Sequence, residues 1–530
     1  KADISLSNAA DVDASGIGGG NITINARNLD LTAGQFGRSL IRTGIRPESI
    51  SNEAQAGDVN VNVKDELTLD NSRISNQVFA EGIGNSGDIN ITTGSLNAIN
   101  GGDIDASTLG QGNAGSVNIV ARDIAFDGET PDGFGSGASS IVDVGAEGNT
   151  EGINISTNNL TLTNGGRVST SRLGQGNAGQ INIIATENIT ATGETLDGPL
   201  SSGIFSLVAT NVPENTEGIN ISTANLTLIN GGRIDTSTLV EGNAGQINII
   251  ATENITATGE TSGSLPSGVF SQVNFGAVGD AGGIKISSNN LALTNGGSIS
   301  ATTLGRGNAG AVEINATGNI TFDGESSRSI PSGVFSQVNP GAVGNAGGVK
   351  IFTSNLTLSN VGRATSDTLG RGNAGVTNIT ANGDISIDGQ NSMGFNSGVS
   401  SQVGDGAVGN AGGVTISTNN LTLTNGGGIG ASTFSEGNAG IANITAKENI
   451  IIDGEDSDGF TSGINSQSNP VAKGDAGGVI ISTNNLTLTN GGQIDASIGG
   501  QGNGGSVNIT ATGDIVFDGQ NSEGLRSGAT

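Results

Sequence analysis

Short apolar–polar alternations, each only a few residues long, recur along nearly the whole chain. In Ile247-Asn248-Ile249, Asn254-Ile255-Thr256-Ala257 and Gly268-Val269-Phe270-Ser271-Gln272-Val273, apolar side chains recur at alternate positions and Gly/Asn turns part the runs. Period-two alternation puts those side chains on one face of a half-buried β-strand. A second set follows at Ile284-Lys285-Ile286, Asn290-Leu291-Ala292-Leu293 and Ser298-Ile299-Ser300-Ala301. Glycine pairs such as Gly296-Gly297 and the abundance of β-branched residues argue against helix.

The strands belong to a repeat. Asn-Leu-Thr-Leu or a close variant places a leucine at Leu160, Leu226, Leu291, Leu356, Leu421 and Leu486, a 65-residue period after a first step of 66. Within each period Gly-x-Ile-x-Ile occurs twice. Its first apolar position falls at Ile22, Val59, Ile89, Val117, Ile153, Ile181, Ile219, Ile247, Ile284, Val312, Val349, Thr377, Val414, Ala442, Val479 and Val507, with spacings that settle into alternating 28 and 37. Thr377 and Ala442 break the apolar rule, and the preceding Val376 and Ile441 predict a local swap of faces there. Three strands per unit is the pattern of one coil of a parallel β-helix. The expected fold is therefore all-β, a solenoid of about sixteen coils, roughly 75 Å long at ~4.8 Å per coil, and right-handed by the general rule for parallel crossovers. One coil cannot bury its Ile, Val and Leu alone, but stacking sets each on its equivalents and pairs the backbone between coils. Glycines in turns such as Gly307-Asn308-Ala309-Gly310 suit positive φ. The asparagines beside them tolerate the same region and can bond from coil to coil. The reading divides the chain into less regular coils over 1–56 and one continuous regular shaft over 57–530. Lys1-Ala2-Asp3-Ile4 contains neither an initiator Met nor a signal-peptide core, so the chain reads as a segment whose ends meet further coils.

Composition narrows the function. The 530 residues include 92 Gly and no Cys, His, Trp or Tyr, and 20 Lys+Arg against 49 Asp+Glu give a formal charge of −29. Such a surface repels nucleic acid and anionic membranes. No apolar run is long enough for a transmembrane helix. Without His or Cys, Ser-His-Asp and Cys-His catalysis and the common zinc sites are excluded.

The tandem Gly-Asn-Ala-Gly-x-Ile-x-Ile and Asn-Leu-x-Leu-x-Asn-Gly-Gly units resemble the shaft of filamentous-haemagglutinin-like exoproteins of the two-partner secretion type, in the form common in cyanobacteria. The likeness runs from Asn21 to Gly519. It implies a right-handed β-helix exported through a dedicated outer-membrane transporter, located at the bacterial cell surface or outside the cell, with adhesion or matrix building as its role. Neither the N-terminal secretion domain of that family nor a C-terminal effector is evident.

Candidate chemistry rests on carboxylates. Asp105, Asp235 and Asp495 each follow an Ile after a Gly-Gly turn. Clustered Asp with Arg or Lys across neighbouring coils is the arrangement of pectin-degrading β-helix enzymes, but even the nearer two of these positions lie about 20 Å apart by coil spacing, too far for paired-acid chemistry. They read as solvated strand-face residues. Calcium is the other candidate, because Asp453, Glu455, Asp456 and Asp458 crowd one Gly-rich loop, as Asp127, Glu129 and Asp132 do another. Neither loop fits an EF-hand or the Gly-Gly-x-Gly-x-Asp calcium repeat, and a plain exposed turn is the simpler account. The same loops carry Phe134, Phe395 and Phe460, which either project or pack. Phe205, Phe270 and Phe335 in the following strand are expected to fill the wider interior of the long coils. The least regular stretch, Phe36 to Ala56 with Arg38, Arg42, Arg46 and Glu48, is the best place to seek an active site, although an irregular coil insertion explains it more simply.

The resulting expectation is a non-catalytic, acidic structural or adhesive rod without a required cofactor. About eight long-loop bulges along one edge would give multivalent contact with polysaccharide or with another copy, end to end or side to side. The rival is a polysaccharide lyase or hydrolase on the same scaffold.

Overall fold

Stacked inward columns of Ile, Val and Leu organise the computed structural model, which describes residues 2–195, 201–209, 217–389 and 396–530. The described residues form strands and turns without a helix, and their coil-to-coil ladders are parallel. Antiparallel pairing is confined to hairpins within single loops, such as Gly34 with Gly37 and Glu129 with Gly135. The protein is a parallel β-helix, as its repeat predicts.

The chain forms two compact units, Lys1–Thr252 with Glu260–Val269 and Glu253–Gly259 with Phe270–Thr530. In the first, Ile22 stacks on Val59, Ile89, Val117, Ile153 and Ile181 in unbroken order, and Leu29, Leu67, Leu96, Ile124 and Leu160 form a second column. A third column, Ile74, Ile104, Ala138, Val168, Ile204 and Ile234, lies on short strands. Two of the three predicted strands of a coil often merge, as in Val59–Asp70 and Ile181–Thr192, while the third shortens to three residues, as in Arg233–Asp235. Where a long coil carries one more residue at the corner, the ladder skips, for example between Thr157 and Asn159. The irregular stretch adds the strand Ile50–Gln55, paired with Ile83–Asn85, and a small core of Ile45, Ala56 and Val78.

In the second unit the corresponding column runs Ile284, Val312, Val349, Thr377, Val414, Ala442 and Val479. The expected swap of faces does not occur. Thr377 and Ala442 are wholly buried, whereas Val376 and Ile441 are 50% and 54% exposed. A one-residue slip would carry every side chain of the strand to the other face, Ile379 and Ile444 among them, so the neighbouring coils hold the register. The Thr377 hydroxyl is accommodated by donating to Ser400 O at 2.7 Å. Two rings that the alternation did not single out, Phe126 and Phe322, are fully buried opposite Leu162 and Leu358.

Polar ladders flank the columns. Asn345, Asn373, Asn410 and Asn438 each direct the backbone N–H to the side-chain oxygen of the equivalent Asn one coil earlier, at 2.9–3.0 Å. The glycine before this ladder needs its missing side chain, since Gly307 has φ +138° and a Cβ would lie 1.9 Å from Gly279 O. The asparagines with positive φ lie elsewhere, most of them in Asn-Gly-Gly turns, as at Asn295 (φ 50°).

Candidate functional site

The long coils differ from the short ones mainly by a hairpin after the second strand. Its construction repeats. Asp456 N–H donates to Phe460 O at 2.9 Å, and the Asp456 carboxylate accepts from Phe460 N–H at 2.8 Å. Thr130 with Phe134, Thr261 with Leu265, Ser326 with Ile330 and Asn521 with Leu525 close their hairpins through the same pair of bonds. A serine then ties the hairpin down: Ser462 Oγ donates to Asp453 O at 2.8 Å and accepts from Gly426 N–H of the preceding coil at 3.0 Å. Ser332 does the same with Asp323 O and Gly296 N–H.

This closure fixes one apolar side chain per hairpin at the surface. In the first unit these are Phe134 and Leu265, 64% and 37% exposed; in the second they are Ile330, Phe460 and Leu525, 36%, 60% and 49% exposed. Phe134 and Phe460 therefore project, and Phe395 lies outside the described residues. Hairpins are also linked to one another. Ser262 N–H donates to Glu194 Oε1, and Ser522 N–H to Glu455 Oε1, both at 2.9 Å, and hydrogen bonding from the Ser522 side chain and backbone holds the Glu455 carboxyl below its usual range.

The four calcium candidates have separate structural tasks. Asp453 accepts from Thr489 Oγ1 at 2.6 Å and Asn490 Nδ2 at 2.8 Å, Glu455 serves the next hairpin, Asp456 closes its own, and Asp458 is exposed. Among the described residues no three carboxylates gather into a metal-binding group.

The remaining candidates lie on the outer face of the short strands. Ile204, Val269 and Val334 hold the inward position of those three-residue strands, and of the rings that follow them Phe270 is buried with 3% exposure, whereas Phe205 and Phe335 are not fully buried. Phe205 is aligned with Ser169 and Asp235 and carries the Arg167 guanidinium 5.4 Å from its ring centre. Nor are Asp105 and Asp235 solvated, being 6% and 7% exposed. Asp235 pairs with Arg233 at 2.7 Å. Asp105 takes a bond from Gln77 Nε2 at 2.5 Å and faces Arg73, which also binds Asp103 at 3.0 Å. Asp495 is partly exposed and accepts from Ser497 N–H at 2.7 Å. Burial pushes the Asp103 carboxyl up to about 6, against the pull of Arg73 and with the push of Asp105. In the second unit burial likewise raises Asp367, which accepts from Ser400 Oγ at 2.9 Å and Gln402 N–H at 2.8 Å. Sequence reasoning passed over Asp103 and Asp367; the signal for Asp103 was its place two residues from Asp105, on the same strand face.

The arginines of the irregular stretch neutralise or tie down local groups. Arg42 reaches Asp11 at 2.7 Å and Asp13 at 3.1 Å, Arg46 reaches Asp13 at 2.5 Å, and Arg38 donates to the carbonyls of Asn71, Ser72 and Gly101. Glu48 is exposed. No helix among the described residues is long and apolar enough to cross a membrane. No protein-family model matches the chain, and no curated protein or solved structure is significantly similar to it.

Proposed function

We propose that the chain is a non-catalytic structural and adhesive element. It acts at a bacterial cell surface or outside the cell, and reaches that place through an outer-membrane transporter in the manner of the exoproteins it resembles. The observation that carries this reading is the exposed apolar residue at the same place in five of the described hairpins. Weak contacts repeated at a fixed pitch add up through effective concentration, so a polysaccharide or a second copy is held without any deep pocket. Electron microscopy of the purified chain and its retention on polysaccharide-coated beads test the idea. Replacing Leu265, Ile330, Phe460 and Leu525 together by Ser should abolish association or retention while leaving the unfolding midpoint unchanged; a variant that behaves like the wild type refutes it.

One observation favours the rival enzyme. Arg38, Arg73, Asp103 and Asp105 come from neighbouring coils, and a buried carboxyl raised to about 6 is suited to proton transfer. Asp103→Asn should leave polysaccharide chain length unaffected relative to wild type, because neither protein cleaves. Shortening by the wild type alone would replace the adhesive reading with a lyase or hydrolase.

A further inference from the structure

We infer that the first unit holds a neutral or amino-bearing sugar in a trough between two of its hairpins. This rests on the reading that the chain meets polysaccharide, and it names the class of sugar and the place. Elsewhere long-loop coils and tight-turn coils alternate. Between the Gly34–Gly37 and Glu129–Gly135 hairpins, two tight turns follow one another, at Asp70-Asn71-Ser72 and Asn100-Gly101-Gly102. The hairpins on either side are thus three coil steps apart, roughly 14 Å, where the alternating arrangement gives roughly 10 Å.

That wider gap forms an open trough of about 520 Å³, within the ~300–1,000 Å³ range of small-ligand sites. Asp70, Asn71 and Asn100 line it along with Glu129, Thr130 and Ala33. Asp70 Oδ1 already accepts from Asn100 Nδ2 at 2.8 Å. Asn71 Oδ1, by contrast, is buried and has no hydrogen-bond partner. The lining carboxylates and amides offer mainly acceptors to the trough, which suit a hydroxyl or an ammonium group. Two carboxylates and no Lys or Arg line the trough, and the nearby Arg38 guanidinium is committed to backbone carbonyls. Uronates and sulfated sugars are therefore repelled, whereas hydroxyls and protonated amines are welcome. The hairpins forming the two walls also carry Phe36 and Phe134, 75% and 64% exposed, the kind of ring on which the apolar face of a pyranose packs.

Calorimetry on the whole chain tests this with three tetrasaccharides: a neutral cello-oligomer, a glucosamine oligomer and an oligogalacturonate. One equivalent of the neutral or the amino oligomer should bind, and the galacturonate should not. Ala33→Trp, which fills the trough, should weaken binding at least tenfold. Asp70→Asn should weaken the glucosamine oligomer several-fold more than the neutral one, which keeps the test decisive if the bulkier variant loses stability. Failure of all three sugars to bind overturns the proposal, as does equal binding of galacturonate or unchanged affinity in both variants. The fourfold hairpin variant leaves the trough intact, so wild-type retention of that variant with sugar binding preserved would sink only the multivalent edge, and lost retention of that variant with no sugar bound by the wild type only the trough.

Discussion

Thr377 and Phe460 lie in coils of the same repeat and defy the simplest expectation in opposite directions: a polar residue is wholly buried and a large ring stays 60% exposed. Each is explained by what fixes its position. Thr377 is aligned with Val349 in one neighbouring coil and Val414 in the other, so its address is set by long-range register. Phe460 is set by a closure between residues four apart, through Asp456. The interior is thus specified collectively and the hairpin edge locally, which leaves the edge free to vary its exposed residue while the stack stays in place.

If that contrast is right, truncations at the two places differ most. Ile351 is fully buried between Ile314 and Ile379. Ile351→Ala should cost about 2–5 kcal/mol from lost transfer energy and an unfilled cavity, while Phe460→Ser should stay within about 0.5 kcal/mol. Urea unfolding of both variants is the check. Equal losses would mean that the Phe460 ring is packed in the native state.

Asp103 belongs to neither class, being an outer-face carboxyl that burial nevertheless reaches. Its ordinary value of 3.8 rises to about 6 in the folded chain, so between these values the native state binds more protons than the unfolded one. Its contribution is greatest below about pH 4 and is lost as the pH rises through 6. Wild type should therefore lose roughly 1–3 kcal/mol relative to Asp103→Asn between pH 4 and 7. A difference in unfolding free energy that stays flat over this range would show that Arg73 fully compensates the buried charge.

The fold was legible because its determinants are periodic. The 28- and 37-residue spacings and the alternation in Ile247-Asn248-Ile249 encode coil, face and stack directly. At Thr377 the local composition misled, since Val376 is the more apolar residue and only the coils on either side show why it lies outside. The outer face was harder still. Asp105 and Asp235 resemble surface residues until Gln77, Arg73 and Arg233 are seen to cover them, and the first of these lies 28 residues earlier in the chain. The hairpin edge was half legible: recurring Gly-Phe-x-Ser-Gly marked the place, whereas exposure depended on the bonds that Thr130 and Asp456 make.

Buried threonines give the smallest effect and the finest test of the collective rule. Thr303 is fully buried between Val273 and Val338, and its hydroxyl has no hydrogen-bond partner. Thr303→Val removes an unsatisfied oxygen and sets three valines in succession in a column that here alternates Val and Thr, so it should stabilise the second unit by about 1 kcal/mol. Thr377→Val makes the same exchange where the hydroxyl is satisfied by Ser400 O, a carbonyl that also accepts from Ser366 N–H at 3.0 Å. Gain of apolar burial and loss of a bond then oppose each other, and the result should be neutral or destabilising by up to about 1 kcal/mol. If Thr303→Val proves the more harmful of the two in side-by-side denaturation curves, its hydroxyl has a partner in solution, and hydrogen bonding rather than apolar stacking specifies that column.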